Sequence, residues 1–119
     1  MELTMERQGS TTGRRGLREL FRSIEVLREL RAEMPMQMAS VFLMIAMKPG
    51  IHQRDLPDLL GLSQSSVSRN VSALAAMTRQ GTPGLGLVEQ RLGGLGWRTP
   101  ELHLTQAGKM LARRLLGTP

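Results

Sequence analysis

The residues best placed to do chemistry in this 119-residue chain lie together in Gln64-Ser65-Ser66-Val67-Ser68-Arg69-Asn70-Val71-Ser72, where short hydroxyl and amide groups surround one arginine and no carboxylate intervenes. On a wheel of 100 degrees per residue, Val71 and Leu74 fall within about 40 degrees of Val67, and the three form a narrow inward stripe. The opposite face is Ser65, Arg69, Ser72 and Ala76. Those four are small or carry hydrogen-bonding groups, and an arginine there can make a two-pronged contact with a guanine edge or clamp a phosphate. Ser66, Ser68 and Asn70 flank that face, within reach of phosphate oxygens. Such a face fits a duplex major groove. An ordinary surface helix with a serine-rich exterior shows the same pattern, so the context has to decide between them.

Catalytic chemistry finds little to work with. His52 and His103 are the only histidines and cysteine is absent, which leaves few groups for a metal site or a nucleophilic triad. Gly93-Gly94-Leu95-Gly96 lacks the Lys-Ser/Thr of a phosphate-binding loop and precedes a predicted strand. No cofactor and no metal are expected. The opening MELTMERQGS lacks the apolar core of a signal peptide, and the longest apolar run, 39–47, is too short to span a bilayer, so a soluble cytoplasmic protein is expected.

Charge points to a polyanionic partner. The net charge is +6, and it is unevenly spread: residues 1–33 carry seven Arg against six Glu, whereas residues 34–119 carry nine Lys or Arg against four Asp or Glu. With only three aromatic residues, a stacking platform for single strands is not supported, and duplex is the better match.

The elements that must position these residues follow from periodicity. Residues 1–16 read as a polar, basic arm. From Leu17 to Met34, apolar residues recur every three or four positions, predicting an amphipathic helix that packs on its own domain or pairs with a second copy. Pro35 predicts a break. Residues 36–48 are apolar nearly all round, predicting a helix buried between layers, with methionines 34, 36, 38, 44 and 47 filling irregular space. His52 to Leu60 reads as the first helix of a helix-turn-helix, with Leu56, Leu59 and Leu60 inward. If Asp55 is its N-cap, Pro57 falls harmlessly in the first turn. Gly61-Leu62-Ser63 is the joint, with Ser63 as N-cap of a second helix over 64–78. After a loop, Leu87 to Leu92 and Glu101 to Leu104 read as strands of a hairpin with a long tip at Gly93 to Pro100, a wing spanning 87–104. Thr105 then caps a last helix over 106–116, and residues 35–119 form one domain.

Helix, helix, helix-turn-helix, hairpin, helix is the order of a winged helix. The chain also resembles the MarR-type transcriptional regulators. The resemblance is carried by Leu59-Leu60-Gly61-Leu62-Ser63-Gln64-Ser65-Ser66-Val67-Ser68-Arg69 with Leu74, by Gly86-Leu87-Val88-Glu89, and by Leu102-His103-Leu104-Thr105-Gln106-Ala107-Gly108. It implies a mainly α fold with a small β-hairpin and a homodimer on double-stranded DNA. The wing departs from the family's Asp-x-Arg motif in having only Arg98, beside Trp97, and extra loop lies between Arg79 and Gly86. Three residues follow Leu116, so no counterpart of the family's long C-terminal dimerisation helices is expected, and the helix from Leu17 is the expected substitute. Arg98 is then expected at a minor groove and Arg91 nearer the phosphates. Besides a regulator, most simply a repressor, two readings stay open: a winged-helix protein-interaction adaptor, and a replication or plasmid-maintenance DNA binder.

Overall fold

The computed structural model describes residues 11–78, 80–94 and 96–117, without the side chains of residues 11, 12 and 96–98. The fold is mainly α with a small sheet, a winged helix-turn-helix. In order it contains α1 (Thr11–Leu30), α2 (Met36–Met47), β1 (Ile51–His52), a 3-10 turn (Gln53–Asp55), α3 (Leu56–Leu60), α4 (Gln64–Leu74), β2 (Val88–Gly93), β3 (Gly96–Leu104) and α5 (Gln106–Leu116).

Helix α1 starts six residues before the expected Leu17, so residues 11–16 are helix and not arm; residues 1–10 lie outside the described part. Arginine is a good helix former, and Arg14, Arg15 and Arg18 offset the glycines among them. At its other end α1 stops at Leu30, and Met34 closes a turn by donating to the Arg31 carbonyl at 3.1 Å. The residue before a proline avoids helical conformation, so the chain must turn ahead of Pro35. Pro35 itself is the N-cap of α2, in extended conformation.

The all-round burial expected of α2 is corrected. Met38, Val41, Phe42 and Ile45 form one buried row, whereas Met36 and Met47 are 79% and 68% exposed. A single apolar layer lies beneath the helix. Two of the five methionines expected as core filler therefore face out.

A two-residue strand, β1, replaces the expected start of the first motif helix. Ile51 and His52 pair with Leu102 and Glu101 of β3, completing an antiparallel sheet of order β1-β3-β2. Asp55 is the N-cap of α3 and Pro57 sits in its first turn, where a missing N–H costs no helical bond. Five residues bury one row only. Leu56 is sealed and Leu60 half-buried, but Leu59, expected inward, is 48% exposed. Gly61 ends the helix in left-handed conformation (φ 66°), which gives the motif its tight joint.

Helix α4 begins as expected, with the Ser63 side chain accepting from the Ser66 N–H at 3.1 Å. It ends at Leu74, four residues short of the expected Thr78. The carbonyls of its last turn are taken by the following segment: Leu85 donates to Ala73 and Leu87 to Leu74, at 3.0 and 2.8 Å. Gly84 makes this closure possible, because a Cβ there would overlap the Ala75 carbonyl. The hairpin tip is shorter than expected, since β2 runs to Gly93 and pairs there with Gly96.

The core gathers Phe42 and Ile45 of α2, Leu56, Val67 and Leu74 of the motif, and Val88 and Leu102 of the sheet. Thr105 caps α5, accepting from the Gly108 N–H while donating to the Gly86 carbonyl at 2.6 Å. At the far end of α5, Arg22 of α1 donates to the carbonyls of Arg114 and Leu115 at 2.7 and 3.0 Å, and the Ser23 hydroxyl lies 2.7 Å from the Leu115 carbonyl oxygen. A helix end leaves such carbonyls short of donors, and here the Gly117 N–H reaches Arg114 at 3.1 Å while α1 supplies the rest, so α1 serves as part of the C-terminal cap of α5.

Candidate nucleic-acid interface

Helix α4 is held from behind. Val67, Val71 and Leu74 are all buried, in agreement with the inward stripe, and this fixes which side of the helix faces the core. The opposite side carries Ser65 and Arg69, both exposed, with Ser72 half-buried. Ala76, expected on the same face, lies beyond the end of the helix but remains exposed.

The polar residues differ in their ties. Ser65 Oγ is 3.2 Å from Ser63 Oγ. The Arg69 guanidinium reaches back one turn to donate to Ser66 Oγ at 3.2 Å, which lays its charge along the helix surface. Both bonds are made by exposed groups and exchange readily for a ligand's oxygens. Asn70 is different, and its expected place on the flank is corrected: it is only 9% exposed, and its amide donates to the Ser66 carbonyl at 2.9 Å. At 300 degrees on the wheel it falls beside Leu74, so it is drawn inward, and a buried amide must find a partner. Ser66 and Ser68 are half-buried on opposite flanks of α4.

Three grooves border the helix. Two lie on the Ser68 side, between α4 and the sheet. One is walled by Gln53, Arg54, Gln64, Ser65, Ser68 and Gln90, with Thr99 and Pro100, and the other by Ser68, Ser72, Met77, Glu89 and Gln90. The third lies on the Arg69 side, walled by Ser65, Arg69, Ser72, Ala73, Thr78 and Gln80. The lining mixes amides, hydroxyls and two arginines with one carboxylate, Glu89 in the second groove. It offers donors for an anionic backbone and no cluster of three or more metal-ligating side chains among the described residues.

Arg54, Gln53, Gln90 and Thr99 were not singled out from the sequence. Arg54 follows from the motif's geometry, since the turn before α3 abuts the first turn of α4. Gln90 could have been found by strand alternation, being in register with buried Leu102 and therefore on the α4 side of the sheet.

The same alternation relocates Arg91. It pairs with Glu101 across the strands and shares its sheet face with Glu89 and His103, the face turned away from Gln90. Its guanidinium is tied to Glu89 at 2.6 Å with both groups about half exposed, a surface pair of small energetic value. Arg98 lies on β3 and not in an open tip, but its side chain, like that of Trp97, falls outside the described residues.

No helix among the described residues is long and apolar enough to cross a membrane. The sequence matches no family model and no curated protein. Among solved structures the chain is similar to the PcaV transcriptional regulator from Streptomyces coelicolor in complex with its natural ligand, at 27% identity and a TM-score of 0.55, covering 71% of this chain and 55% of that one. It is also similar to the transcriptional regulator Tm0710 from Thermotoga maritima, at 20% identity and a TM-score of 0.66 over 91% of this chain and 72% of that one. A mutant MarR from E. coli complexed with operator DNA matches at 17% identity and a TM-score of 0.59, over 88% and 71% of the two chains. The resemblance to MarR-type regulators is thus matched by the fold. The chain spans little more than half the length of PcaV and of a MarR-like regulator from Thermotoga maritima, 55% and 56%.

Proposed function

We propose that this chain is a sequence-specific, double-stranded-DNA-binding transcriptional regulator that acts as a homodimer and, most simply, represses by occluding a promoter. The observation that carries this reading is the outer face of α4: exposed Ser65 and Arg69 stand on a helix that holds no carboxylate and whose rotation is fixed by three buried residues. Inserted in a major groove, Arg69 reads a guanine edge, while Ser65, Ser66, Ser68 and Ser72 meet phosphates or base edges. Arg54 and Gln90 border the groove toward the wing, where one backbone strand would pass. Arg98 serves the adjacent minor groove, and Arg91 contacts phosphate only by exchanging Glu89 for it. Asn70 drops out of the contact set and instead fixes the helix from inside.

The homodimer reading rests on α1. Leu17, Leu20, Phe21 and Ile24 lie exposed along it, and Leu116 of α5 is exposed as well, an apolar surface of the kind that associates. The presence of a MarR complexed with operator DNA among the solved structures of this fold supports the DNA reading.

Selection of bound sequences from a random duplex pool at two salt concentrations tests both parts. A palindromic site with steeply salt-dependent affinity is expected, since site symmetry mirrors protein symmetry and phosphate contacts release counterions. Arg69→Ala should then weaken specific binding by about 1–3 kcal/mol and relax one base position. No enriched site would move the exposed α1 face to the front, as the docking surface of a protein adaptor.

A further inference from the structure

The segment after α4 forms a small hairpin of its own. Thr78 N–H donates to the Thr82 carbonyl at 2.8 Å, Thr82 N–H to Thr78 Oγ1 at 3.2 Å, and the two hydroxyls are 2.6 Å apart. Gly81 closes the turn by donating to the Thr78 carbonyl at 3.0 Å, and Met77 bridges to Pro83. Gly84 donates to Ala76 at 3.0 Å, and the two bonds from Leu85 and Leu87 to the end of α4 follow at once. The described residues of this hairpin, 76–78 and 80–84, are therefore tied directly to the last turn of α4. The winged-helix reading assigns it no role.

Its position relative to the helix faces is informative. With Val67 at zero, Ser68 stands at 100 degrees and borders the wing grooves, Ser65 and Ser72 stand near 150 degrees, and Arg69 and Ala73 stand at 200 and 240 degrees. The groove walled by Arg69 and Ala73 has Thr78 and Gln80 as its other wall. The sheet thus stands on one flank of the outer face of α4 and Gln80 of this hairpin on the other.

From this we infer that the hairpin is a second wing whose contact is made by an uncharged group: Gln80, backed by the Thr78–Thr82 pair, contacts the phosphate backbone on the Arg69 side of the major groove. The inference rests on the DNA-binding reading above. A helix seated in a major groove is flanked by two phosphate strands, and the exposed Gln80 amide can donate to one of them. Because an amide carries no charge, such a contact adds affinity without releasing a counterion.

The test uses two exposed substitutions, Gln80→Ala and Gln80→Glu, in the full chain and on the site selected by the unmodified protein. Thermal unfolding of both should match the parent. Gln80→Ala should lose about three- to tenfold in affinity, the range of one hydrogen bond, equally on all variants of the site and with an unchanged salt slope. Gln80→Glu should lose more, and most at low salt, because it sets a negative charge against a phosphate. Ethylation interference should show a phosphate whose modification harms the parent but not Gln80→Ala. Parental affinity in both variants overturns the second wing and leaves the first reading standing. A changed base preference overturns the phosphate assignment, and failure of the unmodified protein to select any site removes both readings together.

Discussion

Helices α1 and α4 are both amphipathic, with apolar residues three and four apart, yet they end in opposite situations. In α4 the apolar stripe is sealed, down to 0% exposure at Leu74, and only its polar face meets solvent. In α1 one apolar residue, Val26, is buried, whereas Leu20 and Phe21 are 57% and 66% exposed. Periodicity therefore specifies that a face seeks cover, and says nothing of whether the cover comes from the same chain. For α4 it comes from α2, α3 and the sheet. For α1 the chain provides one side, against α5, and leaves the other uncovered.

The contrast can be broken most forcefully at Leu74. Leu74→Ala leaves a cavity in the middle of the core and should cost about 2–5 kcal/mol in urea unfolding, at any protein concentration. Phe21→Ser should behave otherwise. It removes about 1.5–3 kcal/mol of burial per chain only where a second copy covers α1, so the dependence of the melting temperature on protein concentration should shrink or vanish, with sedimentation showing monomer. If Phe21→Ser instead destabilises the dilute monomer as Leu74→Ala does, the uncovered face of α1 is covered within the chain after all. A smaller effect sharpens the α4 side: Ser63→Ala loses the cap on Ser66 N–H and should cost about 1 kcal/mol. Smallest of all, Arg69→Ala should leave stability within about 0.5 kcal/mol while weakening DNA binding, since the guanidinium is exposed and its bond to Ser66 Oγ is made at the surface.

Much of the fold was legible because local signals agree with one another. Thr105 before Gln106 to Leu116, and Ser63 before Val67, Val71 and Leu74, each combine a cap with a periodic stripe, and both helices begin where those signals place them. What escaped were features that have no local period. β1 is two residues long and exists only because β3 offers its edge. The end of α4 at Leu74 is decided by donors eleven to thirteen positions further on, which no window over the helix contains. Asn70 shows the same limit at the candidate site: its composition suggests contact with a ligand, while its angle on the wheel sends it inward. Arg91 was read by charge, whereas strand alternation, available in the same residues, places it on the far face of the sheet.

The cap that α1 lays on α5 also sets an order of events. Arg22 and the carbonyls it satisfies are 92 and 93 residues apart, a separation at which local structure must be complete before the contact can form. During synthesis α1 emerges before every element that it touches, and it holds its leucines and Phe21 in water while the winged part assembles. Helix α1, made before α5, is thus anchored only after it, and the interval before α5 arrives is the period in which a chaperone, or the α1 of a neighbouring nascent chain, finds that face open.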